Sequence, residues 1–123
     1  MQIGRLDQAE PFTTKDGSTI REVAGRVSLA TQNQSLAQAT VPAGGTTDQH
    51  FHRLSEEIYL FTAGTGRMRL GDEESEVRAG DTVVIPPGVE HKLWAAPDHD
   101  LQLLCCCAPT YSNDDTVITE PGA

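Results

Sequence analysis

Short stretches of alternating apolar and polar residues recur along this chain. No window of ten or more residues carries apolar positions at helical period without a glycine or proline interrupting it. That pattern predicts an all-β fold. The clearest piece is residues 66–70 followed, across a 71–73 tip, by residues 74–78. There Arg67, Arg69, Glu74, Glu76 and Arg78 share one face parity, so the pair reads as a hairpin with a charged outer face. Further strands are predicted over residues 19–23, 27–31, 36–41, 57–61, 82–85, 91–95 and 101–107, each bounded by Gly, Pro, Asp or Asn. Eight or nine such strands require a sandwich or a barrel. Between them only short runs such as 42–45, 79–81 and 86–88 intervene. None is long enough to be a linker, and the expectation is a single domain over residues 1–123.

Composition narrows the function classes. Nine Lys and Arg stand against 18 Asp and Glu, for a net charge of −9 at pH 7. A chain so acidic lacks the basic patch that a phosphate backbone or an anionic membrane requires, so neither nucleic acid nor a membrane is an expected partner. The first twenty residues hold Arg5, Asp7, Glu10, Lys15 and Asp16 with no long apolar run, which argues against a signal peptide or a span. Cys105, Cys106 and Cys107 are consecutive, unlike the dispersed even set of a disulfide framework. A reducing compartment, the cytoplasm, is expected.

Candidate chemistry lies in the histidines. His50 and His52 are two apart, so on a strand both rings face the same way and can aim at one ion. Glu57 begins the stretch 57–61 and shares parity with Tyr59 and Phe61, and His91 follows the 86–88 turn. The spacing Gly44-x5-His50-x-His52-x4-Glu57-x6-Gly64 resembles the first cupin motif. After fifteen intervening residues, Gly80-x5-Pro86-x-Gly88-x2-His91 resembles the second. One position departs: the family's second motif usually ends in Asn where this chain has Ala95, which bears on a local hydrogen bond and not on the ligands. Glu56 is the competing carboxylate, but it would leave seven residues before Gly64.

The resemblance implies a double-stranded β-helix (jelly-roll) barrel with its core at about residues 36–108 and the terminal segments serving as edge strands or dimer arms. It implies one divalent transition metal per chain, held by His50, His52, Glu57 and His91. Three imidazoles and a carboxylate suit Fe, Mn, Ni, Zn, Co or Cu. In octahedral geometry they leave two positions for a small-molecule substrate, which is catalytic rather than closed structural geometry. The implied activity is that of a metalloenzyme chelating its substrate, with dioxygenase chemistry ahead for iron. An isomerase or lyase using Tyr59 as acid/base is the alternative, as is a non-catalytic metal-dependent binding or sensor module. Tyr59 otherwise simply packs on Phe61.

By parity Leu93, Met68, Leu70 and Gln38 are candidate cavity residues. Cys105 and Cys107 share one face of their strand, as cavity thiols or as core packing. Trp94 has outward parity, and His99 sits in a polar turn. By resemblance again, the chain is expected to be a homodimer, with residues 2–20 and 116–120 available for exchange.

Overall fold

The computed structural model describes residues 1–121. Its strands are β1 Phe12–Thr13, β2 Thr19–Gly25, β3 Leu29–Ala30, β4 Ser35–Val41, β5 His50–His52, β6 Glu56–Ala63, β7 Thr65–Leu70, β8 Glu73–Arg78, β9 Thr82–Ile85, β10 His91–Ala95, β11 Leu101–Ala108 and β12 Thr116–Ile118. One 3-10 turn, Leu6–Gln8, precedes them. They form two sheets facing each other in a jelly-roll barrel. The larger runs β1-β2-β4-β11-β6-β9, with β3 beside β2, and the smaller runs β12-β5-β10-β7-β8. Every pairing is antiparallel except β2 with β3.

Alternation sets the faces. Along β6, Glu57, Tyr59 and Phe61 are buried while Glu56, Ile58 and Leu60 face out; along β10, His91, Leu93 and Ala95 are buried. Leu101, Leu103, Phe61, Ile85 and Val41 are almost wholly inaccessible and belong to the hydrophobic core between the sheets. Each side chain of this kind contributes about 1.5–3 kcal/mol by leaving water. The turn between β6 and β7 needs Gly64: its φ is +81°, and a Cβ there would lie 2.2 Å from the Asp100 carbonyl oxygen.

The charged hairpin forms as its parity predicts, with Arg67 opposite Glu76, Arg69 opposite Glu74, and an Arg67–Glu74 ion pair of 3.1 Å. Residues 27–31 do not make a full strand. Only Leu29 and Ala30 pair, because the buried carboxylate of Glu22 draws the preceding loop into another shape by accepting hydrogen bonds from Val27 N and Ser28 Oγ. Both terminal segments pair within the chain: β1 and β2 extend the larger sheet, and β12 lies against β5.

Candidate metal centre

Two strands of the smaller sheet carry the histidines. His50 and His52 flank Phe51 on β5, and His91 opens β10 directly opposite His50. Their ring centroids are 4.2 Å (His50–His91), 5.2 Å (His50–His52) and 5.5 Å (His52–His91) apart. All three are buried, and each offers a nitrogen within 4.8 Å of the other two, a cluster able to bind a metal.

The hydrogen bonds fix which nitrogen that is. His50 Nδ1 lies 2.7 Å from the Asp48 carbonyl oxygen and His91 Nδ1 lies 3.0 Å from that of Val89, and a carbonyl can only accept. His52 Nδ1 lies 3.1 Å from Thr116 Oγ1, whose own hydrogen goes to the Ser112 carbonyl oxygen at 2.9 Å. Each Nδ1 is therefore the donor, which leaves each Nε2 with its lone pair turned inward, the form that ligates.

Glu57 reaches the same point from the larger sheet, its Oε1 3.2 Å from His52 Nε2 and 3.4 Å from His91 Nε2. Glu56 points outward, so the choice between the two carboxylates is decided by strand alternation. Acceptors this close need a proton or a cation between them. Burial works to raise the Glu57 pKa, but the adjacent imidazoles of His52 and His91 override it and hold the carboxyl well below the usual carboxylate range. Burial pulls His52 down too, yet Glu57 raises it overall. His50 is lowered by burial and by the neighbouring His91. His91 Nε2 is buried without any hydrogen-bond partner among the described residues. An orphaned lone pair beside two further imidazoles and a carboxylate fits a divalent metal.

The cluster opens on a cavity of about 40 Å³, room for an ion and two or three waters at about 10–15 Å³ each. Tyr59, from β6, lines this cavity, its ring 5.9 Å from that of His91 and 6.1 Å from that of Phe61. Burial and the Glu57 charge push its phenol well above the ordinary range, so the protein groups around it favour the protonated form.

Of the apolar residues expected at the cavity only Leu93 lines it. Met68 is buried in the core away from the cavity wall, Leu70 is partly buried against that core, and Gln38 faces outward because Ala37 and Ala39 take the inward positions of β4. Cys105 and Cys107 do line the cavity, and Cys107 Sγ donates to Glu57 Oε2 at 3.1 Å. Trp94 faces outward under the Lys92 ammonium, and His99 is exposed beside Asp98.

Motif spacing gave no signal for three residues that the fold brings here. Thr116 orients His52, and Tyr111 stands with its ring 6.0 Å from His52. Asp16 enters from the turn between β1 and β2, its Oδ2 3.6 Å from His50 Nε2. That turn is visible in the sequence as Asp16-Gly17-Ser18, but only its geometry shows that the carboxylate points inward.

Comparison with known proteins agrees with this architecture. Residues 37–107 match the family described as Cupin domain. The uncharacterized protein MJ1618 of Methanocaldococcus jannaschii is 46% identical over 114 residues, 93% of this chain and 91% of that protein. Among solved structures, Pac13 of Streptomyces, a nucleoside dehydratase, superposes with a TM-score of 0.79 at 17% identity, covering 98% of this chain and 92% of its own. The polyketide cyclase RemF of Streptomyces resistomycificus superposes with a TM-score of 0.74 at 22% identity, over 88% and 79% of the two chains. At these identities the two enzymes share the fold with this chain. Among the described residues no helix is long and apolar enough to cross a membrane.

Proposed function

The chain belongs to the cupin domain family, and on that premise we propose that it is a metal-dependent enzyme acting on a small oxygen-bearing molecule inside the barrel. His50, His52, Glu57 and His91 would hold one divalent transition ion. The observation that carries this reading is the hydrogen-bond pattern of the three histidines: each Nδ1 is spent on an acceptor, each Nε2 faces inward, and that of His91 has no partner. A bound ion would supply Lewis-acid polarisation of substrate oxygens.

The chain's own groups do the rest. Val41, Leu93 and Leu103 line the cavity with apolar surface, and its small volume suits a compact substrate. Tyr59 lines the same wall, and its phenol, held protonated by burial and the Glu57 charge, is the proton donor this reading assigns for a substrate oxygen or carbon. A proton donor of this kind favours isomerase or lyase chemistry, in which a proton moves between carbon and oxygen or a leaving oxygen is protonated as its bond to carbon breaks. Dioxygenase chemistry is the second reading if the resident metal is iron, since the donor set also suits that ion. The consecutive free thiols suit the cytoplasm.

Metal analysis of protein purified without a histidine tag or chelator tests the proposal, beside His91→Ala prepared identically. The expected result is about one transition metal per chain in the wild type and at least a tenfold loss in the variant. Tyr59→Phe then separates the classes: turnover lost with metal retained marks an acid/base enzyme, whereas oxygen uptake that survives the substitution marks a dioxygenase. No stoichiometric metal, even after reconstitution, overturns the reading.

A further inference from the structure

The turn between β1 and β2 delivers to the cavity a carboxylate that the proposed reaction does not use. Thr14 N donates to Ser18 O at 2.9 Å, Gly17 takes a φ of +89°, and the turn closes so that Thr14, Asp16 and Ser18 face inward while Lys15 and Gly17 face out. Asp16 is nine-tenths buried. Its Oδ1 is saturated, accepting from Thr14 Oγ1 at 2.6 Å, Ser18 Oγ at 2.7 Å and Ser18 N at 3.0 Å. Its Oδ2 takes part in none of these bonds and lies 3.6 Å from His50 Nε2, and Asp16 lines the cavity. Glu57 stands on the other side, against His52 and His91. The turn is itself anchored, since Asp48 N donates to Asp16 O at 2.7 Å, so the carboxylate is held in place rather than free to swing away.

The rest of the wall gives this charge its meaning. Among the described residues neither a lysine nor an arginine lines the cavity, while a further carboxylate, Glu22, does. The one cation on the turn, Lys15, points outward and spends its ammonium on the carbonyl oxygens of Thr116 and Asn113 at 2.8 and 3.4 Å. A site built to accept a carboxylate substrate would pair that charge with a cationic side chain. Here a divalent ion would already have two carboxylates beside its histidines, Glu57 and Asp16, with Glu22 elsewhere in the wall. An anionic substrate therefore adds like charge to a buried space that no lysine or arginine among the described residues lines.

We infer that Asp16 sets the substrate class: a compact neutral molecule with a hydroxyl beside its metal-binding oxygen, such as a hydroxyketone or a diol, in preference to the anion of a hydroxy acid. Asp16 Oδ2 accepts the hydroxyl hydrogen of the neutral ligand and repels the acid. The inference rests on the metal-dependent reading above and narrows it to one chemical class.

Hydroxyacetone and glycolate, which have equal numbers of heavy atoms and differ in charge, are the probes. Zinc-reconstituted wild type and Asp16→Asn are titrated with each by calorimetry, after metal content has been measured. Because a carboxylate is intrinsically the better metal ligand, the decisive quantity is the ratio of the two dissociation constants. The substitution is expected to shift that ratio about tenfold or more toward glycolate, through tighter glycolate binding and weaker hydroxyacetone binding. Asp16→Ser, which also removes the charge, shifts it the same way and serves if the Asn variant does not fold. A ratio unchanged within twofold in protein that holds its zinc overturns this inference alone. Loss of zinc from Asp16→Asn also overturns it, by making the carboxylate a ligand. A wild type that takes up neither zinc nor any other divalent transition metal offered in its place removes the metal-dependent reading and this inference with it.

Discussion

The Cys107 thiol, on the barrel side of β11, donates to Glu57 Oε2 at 3.1 Å, while Glu57 Oε1 faces His52 and His91. Burial and the adjacent Glu57 charge push the thiol pKa far up, so the sulfur keeps its proton and remains a donor. Its role follows from that: it holds the free oxygen of a carboxylate whose other oxygen is aimed at the metal cluster. Outer partners of this kind are typically worth 10–100-fold in metal affinity. Cys107→Ala is therefore expected to weaken metal binding by about that factor, and Cys107→Ser, which retains a donor, to recover most of it; competition with a chromophoric chelator measures both. Parity alone puts Cys107 with Cys105 on one face of its strand and favours core packing over a cavity role, because a free thiol is most often simply a small buried group; both in fact line the cavity. The histidines were legible for the opposite reason. Two imidazoles at i and i+2 followed by a carboxylate on the next strand have few other uses, whereas Asp16 looked like any aspartate ahead of Gly17 in a turn.

Among the elements, the connection from β5 to β6 matters most, because it sets the distance between His52 and Glu57. It is clamped from the far end of the chain: Asp115 Oδ1 accepts from Leu54 N at 2.8 Å, its Oδ2 accepts from Ser55 N at 3.1 Å, and its carbonyl oxygen accepts from Arg53 N at 2.9 Å. Burial pushes the Asp115 carboxyl up, but the Leu54 and Ser55 amides outweigh it and leave the pKa below its ordinary 3.8. A lowered folded-state value means the clamp's contribution is complete above the unfolded value and is lost as pH falls through the folded one. Asp115→Asn should cost about 1–2 kcal/mol in urea unfolding at pH 7. The gap to wild type should hold down to about pH 5 and shrink below the ordinary aspartate value; a gap that widens on acidification would contradict the assignment. Strand positions were legible wherever alternation was unbroken, as in β6 and β10. The 27–31 stretch was not, since its conformation is set by the side chain of Glu22 and no local pattern reports a partner five residues back in sequence.

At the scale of the whole molecule, charge and apolar surface pull in opposite directions. The terminal segments expected to be exchanged between subunits are already paired inside the chain, β1 and β2 to the larger sheet and β12 to β5. A further surface open to a second copy is the outer face of the larger sheet. There Leu36, Cys106, Ile58 and Val84 lie side by side across four strands, and Leu36, Ile58 and Val84 are 40%, 39% and 53% exposed. A row that crosses the strands can meet its own copy about a two-fold axis, as an isologous interface requires. The net charge of −9 on each chain opposes that approach, and salt screens it, with a Debye length falling from about 30 Å at 0.01 M to about 10 Å at 0.1 M. A homodimer held by this face should thus gain population as salt rises, whereas one held by ion pairs should lose it. Sedimentation at the two salt concentrations, with Ile58→Asp as the variant that places like charge at the centre of the row, distinguishes them. Dimer that increases with salt in wild type and is absent in the variant supports the face. A monomer at both concentrations, or a dimer unaffected by the substitution, removes it.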